Sequence, residues 1–142
     1  MNPTKLVAVF AENHTGRLAR CAGILAESGV NIHWLGIAGV NGFGVIRFLV
    51  DKTDLAYRVL KSRGFTCSLP EILAVEMADE PGSLHFLTSK LAEAGVNLKN
   101  CSGFVFNGRA IILIETDQLE AARRVVREQD LHELSEEELL SL

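Results

Sequence analysis

An α+β fold made of two βαββαβ units, each an antiparallel four-stranded sheet with both helices on one face, is predicted by three observations. The chain repeats itself, each copy alternates strand-like and helix-like patterns in the same order, and each carries an Asn-Gly pair at the same place. Leu6–Phe65 aligns with Ile72–Leu131 without a gap, and about seventeen of the sixty pairs are identical. Self-similarity at a fixed spacing is the mark of a repeated structural unit. The longest shared block sets Ala26-Glu27-Ser28-Gly29-Val30-Asn31-Ile32 against Ala92-Glu93-Ala94-Gly95-Val96-Asn97-Leu98. Pro70 marks the seam, so the units are expected at residues 1–69 and 70–142, the second ending in a short acidic tail.

Within the first copy, the short apolar run Lys5–Ala11 reads as a strand. After a polar loop, Leu18, Cys21, Ala22 and Leu25 fall on one helical stripe. Gly29 is placed to end that helix in the left-handed conformation that glycine adopts without strain. Residues 31–40 form the second strand, and Asn41-Gly42 is a two-residue hairpin signal that returns the chain along residues 44–50. Asp51, Thr53 or Asp54 is expected to cap a second helix burying Leu55, Ala56, Val59 and Leu60, and residues 65–69 supply the last strand. The second copy repeats this order, ending in a weak strand near Leu131 and a tail, Ser135 to Leu142, expected to be solvated. A 60-residue unit of this kind buries little by itself and leaves one sheet face and its edges open. Packing of the copies and a homodimer are therefore expected.

The 142 residues are 48% hydrophobic, with 14 Lys and Arg against 18 Asp and Glu. A net charge of -4 argues against a nucleic-acid surface, which needs clustered cations to neutralise phosphates. Cys21, Cys67 and Cys101 are odd in number and widely spaced, which fits a reduced, cytoplasmic setting rather than a disulfide framework or a zinc site. The apolar start is too short for a secretory signal, and no run suits a membrane span.

The loop before the first helix is the most informative segment. Asn13-His14-Thr15-Gly16 and Asp79-Glu80-Pro81-Gly82 both hold a polar residue three positions before a glycine. Glycine lets a ligand approach the backbone, and unpaired amides at a helix start can hold a carboxylate. Asn31 and Asn97 open the second strand of each copy, where a side-chain amide can meet a ligand's ammonium or carboxylate. The ordinary alternatives are a capped helix and a turn asparagine.

Asp79, Pro81, Gly82 and Leu84, followed by an apolar helix and Gly95-Val96-Asn97-Leu98, resemble the signature of ACT domains. These are ferredoxin-like βαββαβ regulatory modules that bind amino acids between two copies. The first copy matches through Asn13, Gly16, Leu18, Gly29, Val30, Asn31 and Ile32, departing at His14 and Thr15. The resemblance implies a non-catalytic protein whose ligand, a free amino acid, sits between the first loop of one unit and the second-strand start of another. Asn13, His14, Thr15, Gly16, Asn31 and Ile32 would form one half-site set; Asp79, Glu80, Pro81, Gly82, Ser83, Asn97 and Leu98 the other. The alternative is a regulatory or assembly subunit that grips a metabolic enzyme through its sheet.

Other motifs carry less. Asn41–Phe48 has the outline of the third-strand signature of RNA-recognition motifs, but Asn41 replaces the basic residue, Val45 a stacking aromatic, and the second copy has Arg109-Ala110-Ile111. His14, His33, His85 and His132 lack metal-ligand spacing, so neither metal nor cofactor is expected. Gly36, Gly39, Gly42 and Gly44 lie across a hairpin rather than between strand and helix, which excludes a nucleotide loop. No nucleophile with a base or paired carboxylates recurs, so no catalytic residue is assigned.

Overall fold

The computed structural model describes residues 3–142; Met1 and Asn2, where the expected first unit opens, lie outside them. Two compact units result, Lys5–Pro70 and Glu71–Leu142, the latter joined by Pro3 and Thr4. They are called the first and second unit below.

The first unit comprises β2 (Val7–Glu12), α1 (Arg17–Glu27), β3 (Ile32–Val40), β4 (Phe43–Val50), α2 (Thr53–Ser62) and β5 (Thr66–Ser68). Its sheet runs β3-β4-β2-β5, all antiparallel, as a split βαβ topology requires. Asn41 (φ 52°) and Gly42 (φ 81°) make the tight hairpin that their left-handed tolerance allows. At the end of α1 the Val30 N–H donates to Leu25 O and the Gly29 N–H to Ala26 O, the hydrogen bonds of a helix closed by a left-handed glycine.

Alternation along the strands then decides what is inside. Val7, Val9, Ile46, Phe48 and Val50 meet Cys21, Ile24 and Leu25 of α1 and Ala56 and Leu60 of α2 in one buried cluster. Burial pushes the Cys21 thiol up against the opposing pull of Arg17 and Arg20, which keeps it protonated and unreactive.

The second unit repeats the order with β6 (Glu71–Ala78), α3 (Ser83–Glu93), β7 (Leu98–Phe106), β8 (Arg109–Thr116), α4 (Leu119–Glu128) and β9 (His132–Leu134). Leu73, Val75, Leu87, Leu91, Ile114 and Val126 are the centre of its core. Three details differ from the sequence expectation. This sheet has five strands rather than four: β9 covers only Ala74–Glu76 of β6, and β1 (Thr4–Lys5) takes a place beside the same strand. The second helices carry no side-chain cap; the Asp51 carboxylate instead accepts the Asn31 N–H at 2.9 Å, tying the strand start to the start of α2.

Nor is the tail a solvated end. Ser135 and Glu138 form a reciprocal capping box that starts α5 (Glu136–Leu140), and Leu139 is buried. Hydrogen bonds from the Ser135 backbone and from His132, whose Nε2 lies 2.7 Å from Glu138 Oε2, hold the Glu138 carboxyl below the ordinary carboxylate range.

Replacing the fully buried Phe48 by Ala should cost about 3–5 kcal/mol in urea unfolding, because the phenyl ring leaves a cavity between two helices and a sheet. A carboxyl with a lowered folded pKa adds stability above its unfolded pKa and loses it as pH falls through the folded one. Amide protection factors around Leu139, taken relative to the intrinsic exchange rate at each pH, should therefore fall on acidification below the usual carboxylate range, and Glu138→Gln should remove that dependence.

Candidate functional site

The segment joining β2 to α1 is shaped by two main-chain constraints. The Asn13 N–H donates to Gly42 O at 2.8 Å, fastening the loop to the β3–β4 hairpin, and the Arg17 N–H donates to His14 O at 3.1 Å, closing a turn. Gly16 stands at the helix start with φ 86°, a conformation costly for any side chain-bearing residue. Gly82 does the same at φ 92° before α3. Among the described residues neither helix start has a side-chain cap, so the ordinary alternative of a capped helix is not what forms here. With the Arg17 N–H spent on His14 O, the amides of Leu18 and Ala19 are the ones without an intrahelical partner at the positive end of the helix dipole.

The start of α1 borders a cavity of about 330 Å³. Gly16, Arg17, Leu18 and Ala19 line it from α1, Glu12, Asn13 and His14 from the loop, and Ala11, Ile37, Gly44 and Ile46 from the sheet. Leu18, Ile37 and Ile46 make most of the wall apolar and Asn13 adds a polar residue; the Glu12 carboxylate is engaged by His14, whose Nε2 lies 2.5 Å from its Oε2. Asn13 reaches its place because Gly39 and Gly44 have no side chains. A Cβ on Gly39 would stand 2.8 Å from Asn13 Nδ2, and one on Gly44 3.7 Å from Asn13 Cβ. Arg17 also spreads over the Phe65 ring, 5.7 Å from its centroid.

The sequence-designated residues are thus only partly assembled. Asn13, His14 and Gly16 line the cavity, and the exposed Thr15 belongs to the same turn. Asn31 lies at the opposite end of β3, with its backbone N–H on Asp51 and its Nδ2 3.5 Å from His33 Nε2. Ile32 packs against the first core.

In the second unit, Asp79, Glu80, Pro81 and Gly82 form an exposed loop closed by the Ser83 N–H on Glu80 O. Pro81 precedes the helix rather than opening it. Asn97 donates its N–H to Gln118 Oε1, and Leu98 packs against the second core. The loop's surroundings also differ. Ala78 stands at the position of Glu12 and Val105 at that of Gly39, while Gly103 replaces Ile37 and the Ile112 side chain lies across the vacant space.

Glu12, Leu18, Ile37 and Ile46 were missed as site residues by sequence reasoning. The signal for the pocket was present in Gly39 and Gly44, since glycine inside a strand often marks a close approach. Among the described residues no group of three or more His, Cys, Asp or Glu could hold a metal ion, and no helix is long and apolar enough to cross a membrane.

A family model described as an ACT domain pair matches residues 3–142. In structure, the chain is similar to a protein from Bacteroides thetaiotaomicron, with 27% identity, TM-score 0.90, and 99% of this chain and 97% of that one covered. It shares its fold with the regulatory subunit of aspartate kinase from Thermus thermophilus, at 20% identity and TM-score 0.65, covering 89% and 91% of the two chains. The corresponding subunit from Thermus flavus gives 18% identity, TM-score 0.63, and 89% and 93%. No protein of curated function matches the chain.

Gly39→Ala should displace the Asn13 amide, because the new methyl cannot share its space. The expected result is a shift of the Asn13 side-chain NMR signals with the melting temperature nearly unchanged.

Proposed function

Because the chain belongs to the family of ACT domain pairs, we propose that it is a non-catalytic regulatory protein that binds a free amino acid in the first unit's cavity. The observation that carries this reading is the uncapped start of α1 opening on a pocket of mixed polarity. A zwitterion needs an anion site and a cation site a few bonds apart. The α1 amides suit the carboxylate, to which a helix N-terminus contributes roughly 0.3–1 kcal/mol. The Asn13 side-chain oxygen suits the ammonium, and Leu18, Ile37 and Ile46 suit an aliphatic side chain.

In this proposal Asn31 or Asn97 of another ACT unit closes the pocket, so binding favours one packing of units over another. The regulatory response is limited to the difference in affinity between the two arrangements. The difference at Ile37, where the second unit has Gly103 covered by Ile112, supports unequal binding by the two loops, with the first unit's loop the stronger.

A second reading is a subunit that attaches to a metabolic enzyme. It is favoured by Leu35, Ile37 and Val40, which are exposed along the β3 edge of the sheet.

A thermal-shift series over the common amino acids tests the first reading, since a ligand specific for the folded state adds about 2.7 kcal/mol at a hundred times its Kd. Aliphatic amino acids should raise the melting temperature, and Asn13→Ala should abolish the rise while leaving the unliganded protein folded. No shift at millimolar amino acid would sink the proposal. In calorimetry, Asn31→Ala combined with Asn97→Ala should weaken binding; an unchanged affinity would remove both asparagines from the site.

A further inference from the structure

We propose that the helix-free face of the first unit's sheet holds a second ligand site, for a small planar aromatic molecule with a negative charge. A cavity of about 420 Å³ opens there, between Phe10, Ala38, Phe43, Val45, Arg47 and Thr66. That size falls in the range of small-molecule sites. It lies across the sheet from the pocket beside α1, because Phe10 and Val45 alternate with the core residues Val9 and Ile46.

The sheet register sets its shape. Phe10 pairs with Val45, which makes Phe43, two residues along β4, its diagonal neighbour on the same face. Diagonal neighbours stand about 7–8 Å apart. Carbon atoms in contact are about 3.5 Å apart, so side chains rising from positions with that spacing can flank one flat ring between them. The floor is kept low by Ala38 opposite Val45.

Phe10 and Phe43 remain 45% and 65% exposed, so a ring inserted between them would remove apolar surface from water on both sides. The charge preference follows from composition. Arg47 lines the cavity, and the first unit carries eight Lys and Arg against four Asp and Glu, whereas the second carries six against fourteen.

The repeat supplies an internal comparison. In the second unit Glu76 and Arg109 stand where the two phenylalanines stand, and they pair with each other at 3.7 Å. Ile111 and Leu113 replace Val45 and Arg47 and are buried. The backbone is common to both copies; the aromatic cradle belongs to the first.

Isothermal titration of the full chain with anthranilate tests the assignment, with neutral indole and an oligouridine as comparators. Anthranilate is expected to bind, and to lose at least tenfold in affinity in Phe43→Ala and in Ala38→Leu, which fills the floor. Phe106→Ala in the second unit should leave binding unchanged, and indole should bind several-fold more weakly. Thermal melts of each variant establish that it folds; should Phe43→Ala not fold, Ala38→Leu carries the comparison.

Absence of heat at millimolar anthranilate overturns the proposal, as does binding insensitive to the first-unit variants or equal binding of indole. Preference for the oligouridine overturns it in favour of RNA. If Phe43→Ala instead halves the native mass while no aromatic binds, the face is covered by a second copy. None of these results bears on the amino-acid pocket, whose test uses different ligands and different residues.

Discussion

The antiparallel pairing of β2 with β4 is the constraint on which the first unit depends. Val7 pairs with Phe48 and Val9 with Ile46, so one register places four apolar side chains under the two helices. Slipping that register by one residue would turn every core side chain to the other face. The same register brings Glu12 opposite Phe43 and Ala11 opposite Gly44, which sets the end of β2 beside the hairpin. Core, loop and cavity therefore follow from one strand alignment. The hairpin fixes that alignment through Asn41 and Gly42, whose left-handed backbone permits a two-residue turn.

Much of this was legible in the sequence because the features are local. The duplication, the Asn-Gly turns and the helix-ending Gly29 each depend on residues a few positions apart, and duplication lets each be read twice. The family resemblance agreed with the fold. What escaped was set by long-range partners. Asp51 suits a helix cap by type, yet it serves the Asn31 N–H twenty residues away. The acidic tail has the composition of a solvated end, yet the capping box starts a helix and Leu139 is buried. β1 is part of a run that reads as one strand with β2, and its separation depends on an opening beside β6 that no local pattern reveals.

The cavity shows the same division: Asn13 and Gly16 belong to the repeated polar loop that the sequence singles out, whereas Ile37 and Ile46 are brought to it by strand pairing. The seventeen or so identities conserve the framework, including the hairpins and the strand-opening asparagines. The pocket walls are where the copies part. Ile37 becomes Gly103, and the freed volume is taken by Ile112, so the second unit keeps its packing while changing what its loop faces. Duplication has thus preserved two folds and diversified two surfaces.

Anchorage of the loop has a consequence for timing. Asn13 holds to the hairpin through one main-chain hydrogen bond, and net bonds of this kind contribute only about 0.5–1.5 kcal/mol. Loop motions of such modest cost occur in nanoseconds to microseconds. A molecule lodged behind this loop would not be trapped by a slow gate. Its occupancy would follow the surrounding concentration with little delay, giving a gauge that resets quickly rather than a latch that stores its last reading.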